Sequence, residues 1–115
     1  MRSIICAGAL LGLLVGTALA QHTHHGSTAA DSASTKAFKA AADKMHKDMA
    51  IDYSGDADVD FVRGMIPHHQ AAIDMAKVQL AHGKDPAIRK LAEEVIRAQE
   101  AEIVPMKDWL QRRGK

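Results

Sequence analysis

The sequence predicts an all-α protein, a small antiparallel helical bundle of three main helices. Three stretches repeat apolar residues at helical spacing, and no stretch alternates apolar and polar residues as a strand would. The segments DYSGDAD and GKD between them are short and rich in turn-forming residues. Because short connections place consecutive helices side by side, we expect each helix to run antiparallel to the next.

Residues 1–20 have the three-part pattern of a cleavable secretory signal peptide. Met1-Arg2 supplies a positive start, Ile4 to Val15 is an apolar run, and Ala18-Leu19-Ala20 resembles a cleavage site. The alternative is an uncleaved membrane anchor, but a span needs about 20 apolar residues and this run is shorter. We therefore expect a periplasmic protein that begins at Gln21 and has no stable membrane association after cleavage.

Residues 21–35, QHTHHGSTAADSAST, predict a flexible arm, because they are small and polar and show no apolar period. Histidine-rich termini can bind Cu(II), Ni(II) or Zn(II). The arm is therefore an accessory candidate for a metal ion, Cu(II) among them, through His22, His24 and His25. Residues 36–115 are expected to form the helical-bundle domain.

The boundaries of the three helices follow from capping residues. The first helix is expected from about Ser34 to Ile51, with Ser or Thr at its start. The second is expected to start near Asp58 as its N-cap and to end at His82, before Gly83. Asp85-Pro86 predicts the start of the third helix, which continues to about Arg113.

The predicted apolar faces contain polar residues that a plain core disfavours. At about 100° per residue, His69 lies within the stripe of the second helix, and Gln99 and Glu102 lie within that of the third. The stripe of the third helix also contains Ile88 and Leu91, which are expected in the core. An unsatisfied buried polar group costs roughly 1–3 kcal/mol. Counting residues from the two loops places the polar and sulfur-containing side chains in adjacent layers: Met45, Met49, Met65, His69, Gln99 and Glu102, with Met106 about one to two turns away.

Composition excludes several partners. The chain has 115 residues and a formal charge of +1, and removal of residues 1–20 leaves 14 Lys and Arg against 14 Asp and Glu. Nucleic acids and anionic membranes select clustered basic residues, which are absent from this sequence. The one cysteine, Cys6, lies in the predicted signal peptide, so the exported chain would take its soft sulfur from methionine.

Methionine and histidine together predict a site for a soft metal ion. Thioethers and imidazoles select Cu(I) and its substitute Ag(I), whereas zinc more often takes thiolates or three nitrogen and oxygen ligands. Five methionines follow the predicted signal peptide, against two Phe, one Trp and one Tyr in the chain. The predicted ligands are Met45, Met49, Met65, His68, His69, Met75 and Met106, with Gln99 and Glu102 as partners that orient them. His68 and Met75 share a flank, where a second, more exposed site is expected.

Each of these features also has an ordinary structural interpretation. Methionine on an apolar stripe commonly fills gaps in a core. His69 is equally explained as a core histidine bonded to Glu102 or Gln99, and Glu102 as the partner of a ligating histidine. Pro67 either bends the second helix and re-aims the donors or only curves it around its neighbours.

Two segments resemble a known family. DFVRGMIPHHQAAIDMAK (Asp60 to Lys77) and AQEAEIVPMKDWL (Ala98 to Leu110) are similar to motifs of the bacterial domain-of-unknown-function family 305. The resemblance implies an exported, ferritin-like helical bundle, and a CopM-like periplasmic protein that binds Cu(I) and Ag(I) in copper resistance. It assigns motif positions to Met65, His68, His69, Met75 and Met106, and matches Met45 and Met49 to a methionine-rich first helix.

The leading functional hypothesis is a periplasmic protein that sequesters or transfers Cu(I) without catalytic turnover. Its expected partners are the metal ion and other periplasmic copper-handling proteins. A ferritin-like redox enzyme that oxidises metal would need Glu-x-x-His pairs on facing helices, and no Glu lies three residues before His68 or His69. The third hypothesis is a structural or interaction bundle in which His69, Gln99 and Glu102 satisfy one another.

Overall fold

The computed structural model describes residues 30–114 and contains three helices in that range. They are α1 (Ala33–Asp48), α2 (Ala57–His82) and α3 (Pro86–Arg112). No strand occurs among these residues, so the predicted all-α class is confirmed. The predicted signal peptide, and His22, His24 and His25 of the predicted arm, lie outside the described residues. The last three arm residues, 33–35, are helical.

Ser32 caps α1, because its hydroxyl accepts a hydrogen bond from the Thr35 N–H at 3.1 Å. A serine cap was predicted, but the helix ends at Asp48 rather than Ile51. The backbone turns away after Met49, whose N–H still bonds to the Met45 carbonyl at 2.9 Å.

The N-cap of α2 is Asp56, so the prediction of Asp58 was wrong by two residues. The Asp56 carboxylate accepts from the N–H groups of Asp58 at 3.0 Å and Val59 at 3.4 Å. Asp58 lies instead in the first turn, where the helix dipole favours a negative charge.

Glycine is required at the end of α2 for a steric reason. Gly83 has φ −76°, which any residue adopts, so the left-handed cap that glycine commonly supplies is not used here. A Cβ at this position would collide with the Gln79 side-chain amide and lie 2.7 Å from the Gln79 carbonyl oxygen.

The start of α3 is bonded to the end of α2. Asp85 accepts from the N–H groups of Ala87 and Ile88 at 2.9 and 3.0 Å, and Pro86 occupies the first turn as predicted. Arg89 donates from Nη1 to the carbonyls of Leu80 at 2.6 Å and Gly83 at 2.9 Å. These bonds satisfy carbonyls that the end of α2 leaves without helical partners.

The helix α2 lies between the other two. It packs against both α1 and α3, whereas no Cα atom of α1 lies within 8 Å of one in α3 among the described residues. The buried apolar side chains belong to α2 and α3: Val59, Ala71, Ile73, Ala76, Ala92 and Ile103. Ile88 and Leu91, which were predicted in the core, are about half exposed because no helix of the described range packs over their side of α3.

Contacts to α1 come from the opposite side of α2. The Ile51 side chain, just after α1, lies 3.7 Å from where a Cβ of Gly64 would be. Further along, Lys44 forms ion pairs with Asp48, at 2.5 Å, and with Asp74 of α2, at 3.4 Å. The Asp48 hydrogen bond is the main reason that the pKa of Lys44 is raised above its ordinary value.

Within residues 30–114, none of the three helices combines the length and the apolar character that crossing a bilayer requires.

The loop before α2 is built on the Asp60 carboxylate. It accepts hydrogen bonds from the Ser54 N–H at 2.7 Å, the Ser54 hydroxyl at 2.8 Å and the Gly55 N–H at 3.1 Å. Gly55 has φ +85°, a left-handed conformation that favours glycine. The bond from the Ser54 N–H is the main cause that lowers the pKa of Asp60 below its ordinary value of 3.8.

We predict that Asp60→Asn lowers the melting temperature at pH 7, because an amide has one acceptor oxygen for these three donors. Since folding lowers this pKa, the ionised carboxylate stabilises the fold above its ordinary pKa, and the effect is lost as pH falls through the lowered value. Thermal melts of both proteins should therefore converge towards acidic pH. Asp58→Asn, with the same charge change in the same turn, is the control, and an equal loss there would contradict this role.

Candidate functional site

His69 is a buried histidine whose two ring nitrogens both have partners. The residue is 8% exposed. Its Nδ1 lies 2.8 Å from the Met65 carbonyl oxygen, and its Nε2 lies 2.7 Å from Oε2 of Glu102 on α3. Both partners, with Glu102 ionised, are acceptors, so a doubly protonated ring donates to both and a neutral ring to only one. Of the two partners predicted for His69, Glu102 is the one it contacts.

The two contacts of His69 have different chemical meanings. A backbone carbonyl on Nδ1 orients the ring and leaves Nε2 as the nitrogen that can bind a metal ion. Glu102 lies directly at Nε2, the position that such an ion would take, rather than behind the ring as the orienting partner that the sequence suggested. Its side chain is 60% exposed, so it has room to move away from the ring.

His69 and Glu102 line a groove between α2 and α3. Six side chains surround this groove of about 370 Å³: Phe61, Met65, His69, Glu102, Pro105 and Met106. On α2, Phe61, Met65 and His69 are spaced four residues apart, so each lies about one turn after the last. On α3, Glu102 and Met106 have the same spacing. Two thioethers, one imidazole and one carboxylate thus converge from two helices.

The remaining predicted residues lie outside this groove. Met75 is half exposed and lines a second, apolar groove further along α2. His68 is exposed, and its ring lies 6.1 Å from that of His69 in an edge-on arrangement. Gln99 is half-buried on α3 and does not line the groove.

Met45 on α1 is half-buried, Met49 just after α1 is exposed, and neither lines the two grooves. The predicted layers assumed that all three helices close around one centre. In residues 30–114 no Cα atom of α1 lies within 8 Å of one in α3, so the backbones of these two helices do not pack together around one centre.

Sequence reasoning missed Phe61 and Pro105. Phe61 carried a usable signal, since it lies four residues before Met65 and therefore on the same side of α2. Pro105 lies inside α3, as Pro67 lies inside α2, and both helices run through their prolines. Pro105 borders the groove whereas Pro67 does not, so Pro105 is the proline beside the donors.

The donor set favours soft ions. Within residues 30–114 no three His, Cys, Asp or Glu side chains come together as a metal-binding group. Zinc, calcium and magnesium generally need such groups. The groove instead combines two neutral sulfurs with one imidazole, the ligand types that suit Cu(I) and Ag(I). Methionine has three rotatable side-chain bonds, which allow its sulfur to turn towards an ion.

Comparison with known proteins identifies the family. The family model for a domain of unknown function, DUF305, matches residues 9–114. The chain belongs to the DUF305 family. The match includes all three helices and every residue of the groove, which are therefore parts of the DUF305 domain.

A viral protein contains a related segment. The uncharacterized protein L153 of Acanthamoeba polyphaga mimivirus is 43% identical over 56 residues, which are 49% of this chain and 37% of that protein. The matched segment thus covers little more than a third of the viral protein. The name of the viral protein states no activity, so this similarity adds no function to the DUF305 domain.

We predict that Glu102→Ala lowers the free energy of unfolding by about 0.5–1 kcal/mol, a modest value because Glu102 is mostly exposed to solvent. The loss arises because the variant removes the bond to His69 Nε2. Glu100→Ala, at an exposed position of the same helix, is the control and should change stability by less than about 0.5 kcal/mol. Urea unfolding measures both, and equal effects would show that the contact with His69 contributes nothing.

Proposed function

We propose that this DUF305 protein is a CopM-like binder of Cu(I), with Ag(I) as its substitute, and that it serves in copper sequestration, transfer or resistance. The ligands are Met65, His69 and Met106, and Glu102 yields His69 Nε2 to the ion. The function is binding without catalytic turnover.

One observation carries the proposal: two thioethers and one imidazole, from two helices, line a single groove. A core that used methionine only as filling would not need a histidine in the same groove as the two sulfurs. The Met65 carbonyl supports the assignment further, because its contact with Nδ1 leaves Nε2 as the metal-binding nitrogen. The carboxylate of Glu102 can then either join the ion or move into solvent.

We further propose that the protein acts in the periplasm after removal of residues 1–20. The basic start, apolar run and small residues before Gln21 support export. In that oxidising compartment, thioethers have an advantage over thiols because they do not form disulfides. Other periplasmic copper-handling proteins are the proposed donors and acceptors of the ion.

A second candidate function is a bundle that binds no metal and acts through its surface. It is favoured by one observation, that both ring nitrogens of His69 already have partners within the protein. On that hypothesis the contact between His69 and Glu102 is only a link between α2 and α3. The two candidates differ in whether a soft ion can displace Glu102 from Nε2.

We predict that Met65→Leu, Met106→Leu and His69→Leu each weaken Ag(I) binding at least about tenfold, because each removes one of three soft donors. The methionine variants keep side-chain volume, so each should lower metal-free stability by less than about 1.5 kcal/mol. Competition dialysis against Ag(I) measures binding, and urea unfolding measures stability. Met49→Leu, the same change just after α1, is the control and should retain wild-type affinity.

The pattern of losses decides between the hypotheses. Wild-type affinity in all three groove variants would contradict the groove as the site. A severe loss in Met49→Leu alone would place the site on α1. Ag(I) at about 100 times its dissociation constant should raise the free energy of unfolding of the wild type by roughly 2.7 kcal/mol. A wild-type protein that Ag(I) does not stabilise would favour the bundle without metal.

A further inference from the structure

The face of α2 between α1 and α3 is uncovered in the described residues. At about 100° per residue, Gly64 and Asp74, which approach α1, lie on the other side of α2 from His69, which contacts α3. Between these two sides runs a stripe that we call the open stripe: Phe61, Met65, His68, Ala72, Met75 and Gln79. Phe61 is 64% exposed and Met75 is 50% exposed, although both are apolar.

Around Met75 the open stripe continues onto the flanking helices without a charge, whereas at Phe61 and Met65 it borders the carboxylate of Glu102 on α3. The groove of about 310 Å³ around Met75 is lined by Phe38 of α1, by α2, and by Ile88, Leu91 and Val95 among the α3 residues. No residue that lines this groove is charged. By contrast, the reverse side of α2 carries Arg63, Gln70 and Lys77 beside the apolar Val59 and Ile66. A half-exposed apolar face with charged residues on its reverse indicates a surface that another protein element covers.

The spacing of the open stripe fits a second copy of itself. Its residues recur at intervals of 4, 3, 4, 3 and 4, which is the heptad spacing of helices that pack along their length. The pattern is symmetric about position 70. An antiparallel partner helix would therefore oppose Met65 to Met75, His68 to Ala72 and Phe61 to Gln79, with each pair occurring twice, as a two-fold interface requires.

Size and charge also fit self-association. The open stripe is about 27 Å long at 1.5 Å per residue. The face between α1 and α3 is about 20 Å wide, or two helix spacings. Two copies would thus cover roughly 1,000 Å² in total, the size from which specific interfaces begin. The formal charge of +1 per chain gives two copies little mutual repulsion.

We propose that the protein forms a two-fold symmetric homodimer in which the open stripes of two copies pack antiparallel. The dimer does not depend on the proposed metal function, because the stripe is apolar whether or not an ion is bound. The dimer also gives Met75 a role. Along one helix, Met75 lies ten residues, or about 15 Å, from Met65, so one copy alone does not bring the two methionines to the same level. In the dimer, Met75 of one copy lies level with Met65 of the other, beside the groove that contains His69.

Sedimentation equilibrium of the metal-free purified chain tests the dimer by measuring its mass. The wild type is compared with single charge substitutions on α3. We expect a dimer for the wild type and a monomer for Leu91→Glu and Ile88→Glu, which place a carboxylate in the interface. Val104→Glu is the matched control: Val104 is 59% exposed and Leu91 is 53% exposed, but Val104 lies on the opposite side of α3. Circular dichroism should show the same helix content in all four proteins.

A cross-link tests the antiparallel arrangement. In a Cys6→Ser background, Ala72→Cys lies near the symmetry axis and should be joined across the dimer by a short bis-maleimide. Gln79→Cys lies about 27 Å along the axis from its equivalent and should not be joined. Efficient cross-linking of both, as a parallel pair would give, would overturn the arrangement.

Three outcomes would overturn the dimer itself. One is a wild-type monomer at all concentrations. Another is a dimer that survives both Leu91→Glu and Ile88→Glu but not Val104→Glu. The third is a chain from Gln21 onwards that is a monomer and associates only when residues 21–29 are also removed, which would identify that segment as the cover of the open stripe.

Discussion

The fold depends on one constraint, that α2 alone joins the helices of residues 30–114. Since no Cα atom of α1 lies within 8 Å of one in α3, each helix packs on a different side of α2, and the face of α2 between them is left without a cover among these residues. The candidate metal groove and the open stripe both follow from this arrangement. The first lies where α2 meets α3, and the second runs along the face of α2 between the two helices and shares Phe61 and Met65 with the groove. A closed three-helix bundle would have buried both among its core residues.

Much of this architecture is readable in the sequence. Helical period, Ser and Asp caps and the Asp85-Pro86 start predict three helices with boundaries correct to within about three residues. The polar residues within the apolar stripes predicted that His69 contacts Glu102 or Gln99, because buried polar groups need partners, and the structure has the contact with Glu102. Met65 and Met106, predicted on the same faces, do line the groove. These successes rest on local spacing, which the 3.6-residue period determines.

The failures concern which helix each face meets. A helical wheel shows that Met45 shares a side with Phe38, but not that α1 packs only on α2. It likewise placed Ile88 and Leu91 in a core that the structure leaves open. Such facts depend on how the helices pack together, which no single helix encodes. The cap of α2 was misassigned for a related reason. Asp56 and Asp58 are equally suitable caps by sequence, and the conformation of the preceding loop determines which of them starts the helix.

The proposed function depends on the bond between His69 Nε2 and Glu102. Either a metal ion replaces Glu102 at Nε2, or the bond persists as a structural link between α2 and α3. Nitrogen NMR of the histidine rings, recorded as Ag(I) is added, reports on it directly. If Ag(I) replaces Glu102, the chemical shift of His69 Nε2 should move to a metal-bound value while Nδ1 keeps its proton towards the Met65 carbonyl. Silver binding that leaves both nitrogens of His69 unchanged would contradict the proposed function.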